Sequence, residues 1–380
     1  VIRIKVQPQV ALQLGNAPRI QANGVLETGI TPLDVAAQRV GARSIKRAFP
    51  YAPEHEAEMA KFGLDRWYEV SFDESINPME AAATFKRAAG VQTANCKMPM
   101  SLQEGNGNFI VAKSSEADRT AEMPFNDPRL AQQWHYNNNG SISGTKAGAD
   151  INLYDAWELT TGDPEIIVAV VDEAIDTAHE DIAANLMVNE AEFNGEAGVD
   201  DDGNGYVDDI HGYNFADNGV LSIKEKDTGH ATHVAGTLAA VNNNGIGVSG
   251  VAGGDGLGNG VRLMSCQIFS DGKEPSVDQV ANAILYAADN GASILQNSWS
   301  FVSGSAGLAN DGQFKVTLKL EYEAMNYFRT KSNCRAMEGG LIILAAGNDG
   351  APAAGYPGAY REYISVTAFA PDGLPAWYTN

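Results

Sequence analysis

Five apolar runs recur between residues 166 and 368, and helical spacing fills much of the sequence between them. The runs are Ile166–Val171, Arg262–Phe269, Ala292–Ser298, Leu341–Ala346 and Tyr363–Ala368. The helical stretches are Thr232–Val241, Val277–Asn290 and Leu318–Thr330. A strand exposed on one face alternates apolar and polar residues, whereas a near-continuous apolar run needs cover on both faces. The pattern therefore predicts an α/β domain with a doubly wound, mostly parallel sheet. Ligands of such sheets bind at the carboxyl ends of the strands. The longest runs fall far short of the roughly 20 apolar residues that cross a bilayer, so no membrane span is expected.

The residues before this region read differently. Ile2–Gln7 alternates like a strand, and Arg66–Asp73 is rich in β-branched and aromatic residues. A short helix is expected over Asp34–Val40, behind Thr31-Pro32 and stopped by Gly41. A second runs from Pro78 to Ala89, capped by Asn77 and ended by Gly90. Val91–Met98 would be the last strand. This order predicts a small ferredoxin-like α+β domain. Charge separates the two parts. Residues 1–115 hold 13 Lys+Arg and 11 Asp+Glu, while the whole chain holds 26 and 48, for a net charge of −22. Nearly all the acidity thus belongs to the second part, and two domains with complementary fields are expected. Gln103–Met123, rich in Gly, Asn, Ser and Glu, reads as the linker. The expected division is residues 1–102, a linker over 103–123, and a larger domain over 124–380. The acidic balance argues against nucleic acid and anionic membranes as partners. Cys96, Cys266 and Cys334 form no CxxC pair, which excludes a disulfide scaffold and the common zinc and redox motifs. VIRIKVQ is no signal peptide and has no initiator Met; a leader removed earlier, or a start inside the gene, is expected.

Three residues stand where a site at the strand ends needs them. Asp172 follows IIVAVV directly, although an ordinary strand-end Asp is the commoner case. His230 opens the helical stretch GHATHVAGT; with His233 it also makes an HxxH, for which no third metal ligand stands nearby. Asn348 follows a buried run and Gly347, where its amide could donate to a developing oxyanion or simply make a turn. A fourth feature is DDDGNGYVDD over Asp200–Asp209. Asp200, Asp202, Asn204, the Tyr206 carbonyl and Asp208 fall at positions 1, 3, 5, 7 and 9 of an EF-hand loop, with Gly205 at the sharp turn. His211 stands where the bidentate Glu belongs, so the expectation is a structural calcium site that is not a complete EF-hand.

Taken together, VAVVDEAIDTAHEDI (168–182), GHATHVAGT (229–237), ILQNSWS (294–300), LIILAAGNDG (341–350) and YPGAYREYISVTAFAPDG (356–373) resemble the subtilisin-like serine proteases. The resemblance covers residues 125–380, with FNDPRLAQQWH as the entry to the domain. It implies that Asp172 orients His230, that His230 is the general base and then the general acid, and that Asn348 lines the oxyanion hole. It also implies that Ser298, Trp299 and Ser300 pair with the substrate backbone. Ala345, Ala346 and Gly347 would wall the pocket for the residue before the scissile bond. The partners implied are a peptide or protein substrate and the chain's own N-terminal domain, which resembles the family's inhibitory propeptide. A secreted, periplasmic or cell-surface location follows from the same resemblance. The family's GTSxAxP segment, which carries the nucleophilic Ser, does not occur in residues 1–380. A sheet incomplete at its C-terminal end is therefore expected, with the Ser on a further segment or a C-terminal fragment. Glu173, Ala174 and Ala231 depart from the family's usual Ser or Thr, Gly and Gly. They motivate a rival reading, a catalytically impaired pseudoprotease that binds peptides or a partner. A calcium-dependent adhesion module is a second rival.

Overall fold

The structure is a computed structural model describing residues 1–21, 24–96, 100–102, 123–301, 308–331 and 337–380. In the N-terminal part the order is β1 (Ile2–Val6), α1 (Pro8–Leu14), β2 (Arg19–Ile20), α2 (Thr31–Val40), β3 (Ser44–Arg47), α3 (Glu56–Phe62), β4 (Trp67–Ser71), α4 (Pro78–Lys86), β5 (Val91–Cys96) and β6 (Met100–Leu102). The larger part continues with α5 (Leu153–Trp157), β7 (Ile167–Asp172), α6 (Glu190–Asn194), β8 (Gly212–Asn214), α7 (His230–Ala239), β9 (Arg262–Gln267) and α8 (Val277–Asp289). It ends with β10 (Ile294–Asn297), β11 (Trp299–Phe301), α9 (Asp311–Thr317), α10 (Lys319–Lys331), β12 (Leu341–Ala345) and β13 (Ile364–Val366). The expected linker, apart from Met123, and Cys334 lie outside the described residues. No described helix is long and apolar enough to cross a membrane.

The large sheet is parallel throughout, in the order β13-β12-β10-β7-β9-β8. Its central strand shows why the apolar run was continuous. Val168 and Val170 face one core with Ala231, Ala235 and Ala239 of α7. Ala169 and Val171 face the other with Ile284, Ala287 and Ala288 of α8. Each fully buried Val contributes about 1.5–3 kcal/mol, so losing the cover on either face would be costly. Local signals set the helix starts. Ser276 and Gln279 form a capping box on α8, and the Asn77 side chain accepts the Met79 N–H at 2.8 Å to start α4.

The N-terminal sheet is antiparallel, in the order β2-β3-β4-β1-β5. Ile2, Ile4 and Val6 point into its own core with Leu33, Ala37 and Phe85. The opposite face of β1, which carries Arg3 and Lys5, is buried as well. Arg3 pairs with Asp278 on α8. Lys5 Nζ lies 2.6 Å from Glu323 Oε1 on α10, and Trp67 Nε1–H donates to Glu323 Oε2 at 2.8 Å. The alternation of IRIKV thus places one apolar and one cationic face between two layers of helices.

Of the strand expected over Val91–Met98, β5 spans Val91–Cys96 and residues 97–98 lie outside the described residues, while Met100–Leu102 pairs outside this sheet. The small sheet has five strands where fewer were expected, because the two-residue β2 and the polar β3 carry little periodic signal. The edge strand β8 is three residues long, below the length at which alternation is readable.

Candidate active site

Parallel register brings the strand ends level. Asn297 of β10 lies opposite Val171 of β7 and Leu344 of β12. The next residues, Asp172, Ser298 and Ala345, therefore leave the same edge of the sheet side by side. Asp172 is fully buried. Its carbonyl accepts the Ile268 N–H at 2.7 Å, which ties the strand end to β9. His230 is the first residue of α7, behind Gly229 at φ 78°, a conformation that favours glycine.

His230 Nδ1 lies 2.9 Å from both Oδ1 and Oδ2 of Asp172. A carboxylate only accepts, so the proton of this pair belongs on Nδ1 and Nε2 is the basic nitrogen. Burial pushes the Asp172 carboxyl above its ordinary range, opposed by the hydrogen bond and charge of His230. A buried carboxylate stabilises an imidazolium as it forms. Glu173, the next residue, is also buried. Its carboxylate accepts the Thr228 N–H at 2.9 Å, the His230 N–H at 3.0 Å and the Thr228 hydroxyl at 3.2 Å.

Asn348 follows β12 in a half-buried loop. Gly347 before it has φ 115°, and its carbonyl accepts the Asn380 N–H at 3.0 Å. Asn380 Oδ1 in turn accepts the N–H groups of Asp349 and Ala351, each at 2.9 Å. The loop is thus held by the end of the described chain. Ala346 is buried, and its N–H donates to the Val366 carbonyl at 2.9 Å.

Trp299 and Ser300 lie in β11, with Ser298 just before it. β11 does not present a free edge. Leu102, Ser101 and Met100 of β6 pair antiparallel with Trp299, Ser300 and Phe301. An extended segment from the N-terminal part therefore occupies the strand expected to take substrate. Ala174 and Ala231, where the family usually has Gly, are both buried, Ala231 in the apolar core with Val168 and Val170, and the 2.9 Å contact of Asp172 with His230 stands beside them.

The acidic loop gathers a set that differs from the EF-hand spacing. Carboxylate oxygens of Glu192, Asp202 and Asp209 lie within 4.8 Å of one another. Of the three expected carboxylates, Asp202 is among them and Asp200 and Asp208 are not. Asp200 accepts the N–H groups of Asn204 and Gly205, and Asp208 accepts that of Gly198. Asn204 Nδ2 donates to Asp202 at 3.0 Å and to Asp209 at 3.1 Å, while its Oδ1 accepts the Tyr206 N–H. The Tyr206 ring packs on Tyr213, Phe215 and Tyr286. Burial raises the Asp209 carboxyl to about 6, and the Asp202 charge adds to it. Sequence reasoning missed Glu192, which stands eight residues before the DDDGNGYVDD run, and Asp209, which lies in the run but off the EF-hand positions.

The model of the Subtilase family matches residues 163–380, and that of the N-terminal of Subtilase family matches residues 2–140. The chain is 30% identical over 259 residues to Subtilisin-like protease 1 of Plasmodium berghei, covering 67% of this chain and 36% of that protein. It is 29% identical over 293 residues to Halolysin of Haloferax mediterranei, covering 75% and 45%, and 30% identical to an Extracellular protease of Xanthomonas campestris, covering 70% and 43%. The chain thus spans less than half the length of these relatives. Among solved structures, fervidolysin from Fervidobacterium pennivorans superposes with a TM-score of 0.54 at 17% identity, covering 96% of this chain and 42% of that one, a likeness of fold. With the family model matching more than half of its residues, and a doubly wound sheet that ends in an Asp–His pair, the chain belongs to the subtilase family.

Proposed function

We propose that the chain is the proenzyme form, or part of it, of a secreted serine endopeptidase whose N-terminal domain acts as its own inhibitor. The observation that carries this reading is the pairing of β6 with β11 at the sheet edge where Asp172 meets His230. An extended backbone there stands where a peptide substrate would add a strand. In this reading His230 Nε2 takes the proton of a serine hydroxyl and returns it to the leaving amine, while Asp172 keeps the imidazole in the productive tautomer. Asn348 donates to the oxyanion, and Ala345, Ala346 and Gly347 wall the adjoining pocket. In this reading the serine is the one carried by the family's GTSxAxP segment. The division at residues 102 and 123 is part of the proposal, as is secretion, which the Extracellular protease of Xanthomonas supports. A form of the protein carrying the family's GTSxAxP segment should be labelled by a serine-directed fluorophosphonate, and His230→Ala should lose the label. Equal labelling in that variant would sink the reading.

Calcium is the structural ion proposed for the acidic loop. The donor set fits: three hard carboxylates converge, two of them buried, and a calcium ion takes 6–8 oxygens. Glu192, Asp202 and Asp209 would hold it, and its part would be to fix the loop between β7 and α7.

A further inference from the structure

We propose that Glu173 is a positioning residue for His230, clamping the backbone on both sides of Gly229 so that the imidazole meets Asp172. The inference rests on reading Asp172 and His230 as the catalytic pair.

A helix start leaves its first N–H groups without intrahelical partners, and side chains usually supply the missing acceptors. Here the N-cap is Gly229, which has no side chain to offer. Glu173 reaches across from the end of β7 instead. One carboxylate accepts the N–H of Thr228 and the N–H of His230, one on each side of the glycine. It also accepts the Thr228 hydroxyl, which fixes the approach of the chain to the helix. These are charge-assisted hydrogen bonds in a buried place, and a negative charge at a helix N-terminus is favourable in its own right.

The grip is coupled to the catalytic carboxylate. The Glu173 N–H donates to Asp172 Oδ1 at 2.7 Å, and that same oxygen lies 2.9 Å from His230 Nδ1. Two consecutive residues thus hold one histidine, Asp172 by its ring and Glu173 by its main chain. Gly229 at φ 78° is permissive by itself. Glu173 ties the Thr228 and His230 amides to the end of β7. A displacement of about 1 Å at such a pair costs about a hundredfold in rate, so the clamp bears on the reaction although it touches no substrate.

Proton NMR of this chain tests the clamp without nucleophile or substrate. The His230 Nδ1 proton, held by a carboxylate, should resonate far downfield of the amides and be absent in His230→Gln. In Glu173→Ala that resonance should be lost to exchange with water, and the Thr228 and His230 amides should exchange more than tenfold faster. Glu173→Gln keeps one acceptor oxygen and loses the charge. It should retain the resonance and speed both amides by about tenfold, the difference between a charged and a neutral hydrogen bond. Asp172→Asn should remove the resonance and leave Thr228 amide exchange unchanged. The clamp is overturned if Glu173→Ala keeps the resonance at its original position, or if Glu173→Gln shows unaltered exchange at both amides. The Gln variant decides alone where the Ala variant does not fold. A form carrying the GTSxAxP segment that takes no fluorophosphonate label sinks the peptidase reading and leaves this result standing.

Discussion

At the scale of single residues, burial sorts the site. Asp172 is fully buried and held by two strands, so it can hold the imidazole in one orientation. Asn348 lies in a half-buried loop set by Gly347 at φ 115°. Replacing Asn348 by Ala in a form that carries the nucleophile should lower kcat by roughly 10²–10³, the size known for such a donor in a subtilisin, with KM little changed. Steady-state kinetics on a short peptide ester would show it, and an unchanged kcat would remove Asn348 from the oxyanion hole. Ala231 has the opposite character. It is fully buried among Val168, Val170 and Ile175. Ala231→Gly would remove about one buried methyl and one good helix former, a loss of about 2 kcal/mol. Urea unfolding would detect it, and a neutral or stabilising effect would mean the methyl strains the helix after all.

At the scale of elements, β1 and α10 decide how the small sheet is seated. β1 sends its apolar residues one way and Arg3 and Lys5 the other. Beneath Arg3, Glu321 of α10 is fully buried, and burial raises its carboxyl from 4.5 to about 8, with the Arg3 charge opposing. A carboxyl whose folded pKa is raised contributes stability that is fully present below the unfolded value. That contribution is lost as pH rises through the folded one. The window here runs from about 4.5 to about 8. Glu321→Gln should remove that slope, a difference on the order of a few kcal/mol at the alkaline end. Thermal midpoints of the two chains across this window check it; parallel curves would mean that Glu321 stays ionised beneath Arg3.

At the scale of the whole molecule, one shared core and a band of charge join the parts. Phe49, Met59, Leu64, Trp67 and Met100 enter the same core as α8 and α10, while Ile2, Leu33 and Phe85 keep a core of their own. The acidic loop touches this junction as well. A side chain added at Gly205 would meet Pro50 Cβ at 3.1 Å. Calcium at 100 times its dissociation constant should stabilise the fold by about 2.7 kcal/mol. The thermal midpoint should therefore fall when calcium is replaced by a chelator, and Glu192→Gln should reduce the difference. Equal midpoints with calcium and chelator would dismiss the ion.

Much of this was legible in the residues alone. The runs at 166–171, 262–269, 292–298 and 341–346 marked strands buried on both faces, because a parallel sheet admits no polar alternation. Asp172, His230 and Asn348 each stand in a distinctive local frame. The short elements were not legible: β2, β3 and β8 are too brief or too polar to show a period. What the sequence by itself determined was the layered α/β architecture, which follows from local pattern, and the candidates Asp172 and His230, which its resemblance to the subtilases singled out. Only the tertiary structure decided that Glu173 serves the His230 backbone, that Glu192 joins Asp202 and Asp209, and that β6 covers β11. The first and last of these bring together residues far apart in the chain, the second joins residues 10 and 7 apart with no regular period, and no local periodicity encodes which partner will satisfy a buried carboxylate or an open strand edge.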